Sequence, residues 1–440
     1  MMPLLTTLHE FASAMLDLLL GLPRHALAWA QKKSRLHEFE NLRREMPVND
    51  LTNSASAPPT RKIRKLFLSC GDASGEAHAL RLMTHLKARH PDLQIAGFGS
   101  QALADRGMDV WQPLADLNVM GFKDVLAQLP LFFRCVYQFA KAIQSEKPDA
   151  VVLIDYPGLN RHLLRIASRK GIPVVDYIAP QLWAWAPWRV RDFKKADKLL
   201  TILPFEADWF QRRGAHPEYI GHPLGDGLAA AAALEDAPPE LDPALTWVGI
   251  LPGSRRREIR NNLPLLLEAA VILRRRNSQV RFVLPHLRDE AWSWMAEALD
   301  SVDLPDAETI LRAPRCFHQV LPQLQAAWVT SGTAVLETAA HRVPPVLVYH
   351  IPSAFTTWLY RQMLAIPFVG GLNLLTGQRV CPEHLGARIC PEQLADDLEQ
   401  RLDGDCRKDV LKSIEHWHRA FATPGPAARA AQAIESVLKP

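Results

Sequence analysis

Val248-Gly249-Ile250-Leu251-Pro252-Gly253-Ser254-Arg255-Arg256-Arg257-Glu258-Ile259 is the stretch in which two kinds of periodicity meet. Residues 246–251 are a short apolar run that fits a buried strand, and Pro252, Gly253 and Ser254 stop it. From 261 to 276, Leu263, Leu266, Leu267, Ala270 and Leu273 recur at helical spacing. The stretch therefore reads as strand, tight loop and helix start. A helix start offers unpaired backbone N–H groups and a positive dipole end, which suits phosphate. Gly253 lets a ligand approach the backbone, Ser254 can donate or cap, and Arg255 to Arg257 add fixed positive charge. This is a diphosphate cradle, although taken alone it equally fits an ordinary strand–helix turn followed by solvated arginines.

Working outward, the same alternation continues on both sides. After 246 the strand-like runs are 246–251, 280–284, 309–311, 327–330 and 345–349, and the pattern turns mainly helical after 353. Before it lie strand-like runs at 66–70, 93–97, 150–154, 174–178, 198–203 and 218–220. Helical patterns intervene, among them 77–89, 160–170 and 205–213. Residues 229–243, rich in Ala, Pro and acids, read as a linker. Such alternation makes parallel sheets covered on both faces. The expectation is an α/β protein with two doubly wound, Rossmann-like domains, 61–228 and 244–352, and helices over 353–440. Ligands are expected in a cleft at the carboxyl ends of the strands.

The chain has 440 residues, 48% hydrophobic and 22% charged, enough for two or three domains with real cores. A net charge of +4 is too small to imply nucleic acid, but suits anionic small molecules or an anionic membrane face. Six cysteines without a C-x-x-C pair read as reduced thiols of a cytoplasmic protein, not as a disulfide framework or zinc site. No apolar run reaches the length of a bilayer span. Residues 1–60 stand apart. Leu8, Phe11, Met15, Leu18, Leu19 and Leu22 fall on one helical face, with His9, Glu10, Ser13 and Asp17 elsewhere. Lys and Arg are absent before Arg24 and Asp17 interrupts the apolar run, which argues against a secretory signal. A mixed charge run at 32–46 and a linker at 49–59 follow. The segment reads either as a helix lying in a membrane interface or as a poorly ordered extension, and the second is preferred.

Several constellations carry chemistry. Gly71-Asp72-Ala73-Ser74-Gly75-Glu76 follows the first strand and opens the first helix. Its glycines and serine make a tight loop with free N–H groups, and Asp72 and Glu76 place carboxylates at the mouth of the sheet. They are suited to orienting sugar hydroxyls or to base work; the plain alternative is an N-cap with a first-turn acid. Ile154-Asp155-Tyr156-Pro157-Gly158-Leu159-Asn160 ends another strand, and burial of Asp155 at that rim would raise its pKa toward base work. The alternative is a turn aspartate, with Asn160 capping the next helix. Trp183, Trp185 and Trp188, in a Pro-bounded loop, stack on a sugar or wedge the loop into the core. Residues 117–133, with Met120 among them and Arg134, Lys141 and Lys147 after, are unusually apolar: a surface for acyl chains or membrane, or core. Thr330-Ser331-Gly332-Thr333-Ala334-Val335-Leu336-Glu337 is a second strand end and helix start, with Glu337 placed to accept ribose hydroxyls. Two such cradles in one domain point to a nucleoside diphosphate. Gly97-Phe98-Gly99-Ser100-Gln101-Ala102 matches a dinucleotide pattern but follows the second strand, not the first. Asp403-Gly404-Asp405 lies between two C-terminal helices and reads as a turn.

Taken in order, these pieces make the chain from about 65 to 395 resemble the lipid-A-disaccharide synthases, two-domain glycosyltransferases of GT-B type. The matching stretches are the loop from Gly71 to Glu76, Val119-Met120-Gly121, Ile154-Asp155-x-Pro-x-x-Asn160 and Pro180-x-x-Trp183-Ala-Trp185. They continue with Leu203-Pro-Phe-Glu206, Ile220-Gly-His222, Leu251-Pro-Gly-Ser-Arg255 with Glu258, Ser331-Gly-Thr-Ala-x-Leu-Glu337 and Asn373-Leu-Leu. The resemblance implies condensation of UDP-2,3-diacylglucosamine with 2,3-diacylglucosamine 1-phosphate (lipid X), with inversion and release of UDP. It implies no cofactor and no metal, no nucleic acid, and a peripheral position on the inner face of the cytoplasmic membrane; a homodimer is left open. The expected base is Asp155, with Asp72 as runner-up. Substrate contacts are expected at Ser74, Gly75, Glu76, Met120, Asn160, Trp183 and His222, and at Gly253, Ser254, Arg255, Ser331, Gly332, Thr333, Glu337 and Asn373. This chain departs from the family in three places. Asp72 and Glu76 exchange the usual Glu and Asp, Leu372 replaces a Pro, and Gly158 replaces an Asp. The rivals are a UDP-sugar epimerase or another lipid-acceptor transferase, and a noncatalytic nucleotide-sugar-binding protein.

Overall fold

Two parallel sheets organise the chain, and the computed structural model describes residues 2–44, 62–114, 129–232, 236–286, 289–300 and 310–438. The first sheet contains β1 (Lys65–Cys70), β2 (Gln94–Phe98), β3 (Met108–Gln112), β4 (Ala150–Ile154), β5 (Val174–Tyr177), β6 (Lys198–Thr201) and β7 (Pro217–Tyr219). Its order is β3-β2-β1-β4-β5-β6-β7, so the direction of winding reverses between β1 and β4. The second sheet contains β8 (Thr246–Leu251), β9 (Val280–His286), β10 (Ile310–Pro314), β11 (Ala326–Thr330), β12 (Pro345–His350) and β13 (Glu383–Gly386). Its order, β10-β9-β8-β11-β12-β13, reverses between β8 and β11. Loops leaving the carboxyl ends of the strands at such a reversal are splayed apart, which is where open α/β sheets hold ligands.

The central strands are apolar on both sides, as strands covered by helices must be. Val151, Val152, Leu153 and Ile154 are fully buried in the first sheet, and Val248, Ile250, Val346 and Val348 in the second. The edge strands β3 and β13 were not legible as strands, because Met-Asp-Val-Trp-Gln and Glu-His-Leu-Gly lack the apolar run. The contacts divide into two units, Met1–Pro223 with Gly425–Pro440, and Leu224–Pro424. The C-terminal helices thus divide: Pro391–Leu402 and Gly404–Ala422 fall in the second unit, and Pro426–Ser436 in the first. That last helix lies on helix Ala73–Arg89, where Glu435 receives Arg89 Nε at 2.6 Å and Nη2 at 2.7 Å and lies 2.8 Å from His90 Nε2.

The N-terminal segment carries α1 (Met2–Leu19), α2 (Gly21–Ala30) and α3 (Lys32–Arg44). These helices are seated on the first unit by polar groups. Arg35 Nη2 donates to the carbonyl oxygens of Trp183 at 3.0 Å and Ala184 at 3.1 Å. Phe39 stacks on Trp183 with ring centroids 5.5 Å apart, and Glu38 pairs with Arg213 at 2.8 Å.

Candidate active site

In the first unit, the reversal between β1 and β4 brings the loops Gly71–Glu76 and Asp155–Asn160 side by side. Asp72 caps helix Ala73–Arg89: its Oδ1 accepts the Gly75 N–H at 2.7 Å. Gly71 has a local reason to be glycine, because a Cβ there would lie 2.2 Å from the Tyr156 ring. Tyr156 is held in place by unusual backbone. Asp155 and Tyr156 have φ of 48° and 50°, and Ile178, just beyond β5, has φ of 72°. Non-glycine residues in the left-handed region cost energy and persist where the surroundings impose them, often at functional sites.

What imposes the turn is Asn160. It is fully buried, its Oδ1 accepts from Ser69 Oγ at 2.8 Å, and its Nδ2 donates to the carbonyl oxygens of Ile154 at 3.3 Å and Asp155 at 2.5 Å. Asn160 is therefore engaged beneath the site, and its side chain fixes the turn that presents Asp155. Asp155 Oδ1 accepts the Tyr156 N–H at 2.9 Å. Burial, with the charge of Asp72 added, pushes the Asp155 carboxyl up to about 6 against that hydrogen bond. Asp176, buried on β5 opposite Leu153, adds a carboxyl that the sequence reading missed. Burial, then Asp155, holds it well above the usual carboxylate range. Its only signal was an acid inside the apolar run Val-Val-Asp-Tyr.

The other expected residues of this unit are spread around these loops. Ser74 is exposed, with Oγ 3.4 Å from His78 Nε2, and Glu76 lies in the first turn of the helix. His222 follows β7 and is buried, which lowers its pKa to about 4. His78 is lowered to about 3 by burial, Arg81 and His222. Both imidazoles are thus neutral at pH 7. Trp183 is not presented to a ligand: it is 4% exposed, packs between Phe39 and Phe205, and donates from Nε1 to Glu206 at 3.1 Å. Met120 lies outside the described residues, as do 115–128 generally.

In the second unit the reversal between β8 and β11 brings Gly253, Ser254 and Arg255 next to Ser331, Gly332 and Thr333. Asn262 ties the two loops together, as Asn160 does in the first unit. Its Nδ2 donates to the Pro252 carbonyl at 3.1 Å and Thr330 Oγ1 at 3.0 Å, and its Oδ1 accepts the His350 N–H at 2.8 Å. Gly253 has φ of 115°, and a Cβ there would meet Glu258 at 2.6 Å. The helix start beyond it is already served by a carboxylate. Glu258 Oε2 accepts the Ser254 and Arg255 N–H groups at 3.3 and 3.4 Å, and its Oε1 accepts from Arg255 Nη1 at 2.7 Å. The helix start at Thr333–Ala340 differs: Gly332, with φ of 143°, caps it without a side chain, and Gly332 and Thr333 are exposed. Glu337 lies further along the same helix. Asn373 is fully buried, donating from Nδ2 to the Cys381 carbonyl at 2.6 Å and Glu383 at 2.9 Å, and accepting the Cys381 N–H at 2.8 Å. It fastens the short helix Gly371–Thr376 to the start of β13. Among the described residues no group of three His, Cys, Asp or Glu is placed to hold a metal. Asp403 caps helix Gly404–Ala422 through the Asp405 N–H, and Ser100 caps Gln101–Asp105, so both motif look-alikes are helix starts.

Two Rossmann-like units, one with paired carboxyls and one with twin helix-start cradles at its reversal point, define a GT-B nucleotide-sugar enzyme. The fold is shared with the putative UDP-N-acetylglucosamine 2-epimerase from Listeria monocytogenes (TM-score 0.56, 15% identity, 86% of this chain and 96% of that one). It is equally shared with the glycotransferase of kitacinnamycin (TM-score 0.57, 15% identity, 86% of this chain and 100% of that one). The fold therefore does not separate epimerase from transferase, but the sequence does. The lipid-A-disaccharide synthase of Syntrophus aciditrophicus (strain SB) is 33% identical over 378 residues, 85% of this chain and 98% of that relative. The lipid-A-disaccharide synthetase family model matches residues 66–431, and the chain belongs to that family.

Proposed function

We propose that this glycosyltransferase moves a diacylglucosamine unit from UDP-2,3-diacylglucosamine to the primary hydroxyl of 2,3-diacylglucosamine 1-phosphate, with inversion, and that Asp155 is its base. The observation that carries the assignment is the Asp155 turn, a buried carboxyl on strained backbone with its pKa raised to about 6. A neutral hydroxyl is a poor nucleophile and needs a base as the new bond forms. In this reading Asp155 takes the proton while the acceptor oxygen bonds to the anomeric carbon. The bond from that carbon to the UDP oxygen breaks, and its electron pair leaves with the diphosphate. Both carboxyls accept one backbone N–H, Asp155 from Tyr156 and Asp72 from Gly75; the burial and raised pKa of Asp155 select it for the proton, with Asp72 as runner-up. Ser254, Arg255 and the helix start at Gly332 and Thr333 hold the diphosphate, whose negative charge grows in the transition state. Arg255 reaches it by exchanging its present partner, Glu258. Both substrates are acylated, which supports a peripheral position on the inner face of the cytoplasmic membrane.

The test compares Asp155→Asn and Asp72→Asn using labelled donor. Loss of a base costs about 10²–10⁴-fold in rate, so Asp155→Asn should lower kcat by at least about 10²-fold with UDP binding intact, whereas Asp72→Asn acts mainly on KM. The reverse pattern moves the base to Asp72.

A further inference from the structure

The amphipathic helix α1 is docked inside out. Its acids turn inward: Glu10 is fully buried and receives Arg165 Nη2 and Arg169 Nη2 at 2.6 Å each, with His162 Nδ1 at 2.8 Å. Two helical turns along, Asp17 receives Arg161 at 2.5 Å, Arg24 at 2.6 Å and Arg191 at 2.8 Å. The opposite face, in a soluble docked helix, would be polar. Here it carries Leu4, Leu5, Leu8, Leu16 and Leu19, exposed by 54, 57, 54, 54 and 72%. On α2 the apolar surface continues through Leu27 and Trp29, exposed by 61 and 56%. Glu10 and Asp17 are the only acids in residues 2–31, so nothing acidic remains on the outward face.

We propose that α1 and α2 form a membrane-interface element, and that its occupant is the surface of an anionic phospholipid bilayer. Three observations select a bilayer. The helices together are apolar enough for a span, but they bend by 51° between them and neither suffices alone, which fits an element lying in the interface. Cations rim the apolar face. A cavity of about 380 Å³ beside α1 is lined by His9, Ser13, Arg165, Arg169, Arg191 and Lys195, with Asp192 as its one acid; Arg165 is buried on Glu10, whereas Arg169 and Arg191, though paired with Glu10 and Asp17, stay about half exposed. Lys32 and Lys33, three and four residues after Trp29, open α3. A leucine face bordered by cations and free of acids matches acyl chains below and anionic headgroups at the edge. The family match begins at residue 66, so this element lies outside the shared catalytic chain. The inference rests on the proposed function only in that acylated substrates are found in a bilayer.

The test is flotation of the full chain with vesicles of phosphatidylcholine alone or mixed with phosphatidylglycerol. The wild type should float with the mixed vesicles and less with phosphatidylcholine alone. The triple variant Leu5→Glu, Leu8→Glu, Leu19→Glu should bind at least about tenfold more weakly, since it removes three apolar side chains from the membrane face and adds charge there. Lys195→Glu should reduce only the phosphatidylglycerol-dependent part. Turnover of detergent-dispersed substrate is measured in parallel and should be equal in the wild type and the triple variant. A wild type that floats but does not turn over separates failure of the functional reading from failure of this one. Flotation of the triple variant equal to wild type overturns the proposal. So does a wild type that ignores vesicles and sediments as a dimer which the triple variant loses, because the face then belongs to a second copy.

Discussion

Asn160 and Asp155 are joined by a 2.5 Å hydrogen bond from the buried Asn160 amide to the Asp155 carbonyl, and this bond holds the left-handed turn at the end of β4. Ser69 anchors the other side of the same amide at 2.8 Å. Asn160→Ala leaves buried partners unsatisfied and should cost roughly 2–4 kcal/mol in stability. With the turn relaxed, kcat should fall by at least about tenfold, as misplacement of a reacting group does, while UDP affinity stays unchanged. Melting curves, steady-state kinetics and calorimetry check the three parts separately; an unaltered kcat would mean that the turn does not aim Asp155.

The pH dependence follows from the raised Asp155. As a base it works ionised, so kcat/KM should rise with pH through about 6 and then level off. Removing the nearby charge in Asp72→Asn favours ionisation and should move this limb lower. The stability effect has the opposite sense. The folded group titrates near 6 and its ordinary value is 3.8, so the native state holds the extra proton between these and loses stability as pH rises through that window. Asp155→Asn should therefore be more stable than wild type above pH 6, by up to about 3 kcal/mol. A rate profile flat from pH 5 to 8 would remove Asp155 from the proton transfer.

Gly158 stands where the family usually has an aspartate, in the first turn of helix Pro157–Arg169, and a Cβ there meets nothing within 4 Å. Gly158→Asp should fold and gain roughly 0.5–1 kcal/mol from helix propensity and the helix dipole. If Asp155 is sufficient as base, turnover changes by less than about threefold, under 1 kcal/mol in barrier. A larger gain would mean that the family's other aspartate position carries the proton better.

On the donor side, Arg255→Ala should weaken UDP binding by roughly 1.5–3 kcal/mol, the range for hydrogen bonds to charged groups. Because Glu258 competes for the same guanidinium and N–H groups, Glu258→Ala should leave UDP affinity equal or higher. Calorimetry with UDP reads both, and a loss of affinity in Glu258→Ala would make that carboxylate part of the cradle's support.

The alternation of apolar runs and helical spacing was enough to read the central strands of both sheets, because parallel strands there must be apolar on both faces, but not the edge strands β3 and β13. It also singled out the loops after β1, β4, β8 and β11, but that the strand order reverses there is a fact of topology that the sequence pattern did not supply. Asp176 stayed hidden because its proximity to Asp155 comes from the register of β5 on β4, which periodicity does not encode. Asn160, Trp183 and Asn373 have side chains that suit ligand contact, but each is buried with its polar groups engaged inside the protein. Residue type alone cannot tell those two uses apart. The seating of α1 was beyond reach for the same reason, as Glu10 meets Arg165 and Arg169 across 155 and 159 positions of sequence.

That seating gives the last prediction. Glu10 is buried among Arg165, Arg169 and His162, and although burial by itself would raise its pKa, these partners hold it down at about 2. Removing one member of a buried charge cluster costs about 3–5 kcal/mol, because the remaining charges lose their compensation. The apolar face of α1 points outward, so its apolar support comes mainly from packing along helix Leu129–Ser145, where Phe11 meets Phe133 with centroids 4.5 Å apart. The cost should therefore appear as local undocking of α1 and not as unfolding of the first unit. Glu10→Gln should expose residues 2–44 to chymotrypsin at least about a hundredfold more, the factor that 3 kcal/mol sets when cleavage follows the open population, while the sheet melts as in wild type. Acid should mimic the substitution. A carboxylate whose folded pKa is depressed stabilises fully above its unfolded value, here 4.5, and loses that contribution as pH falls toward about 2. Protection of the segment should fade over that interval in the wild type and be absent throughout in Glu10→Gln. Equal protection of the two proteins at pH 7 would show that the ionic cluster does not hold the helix.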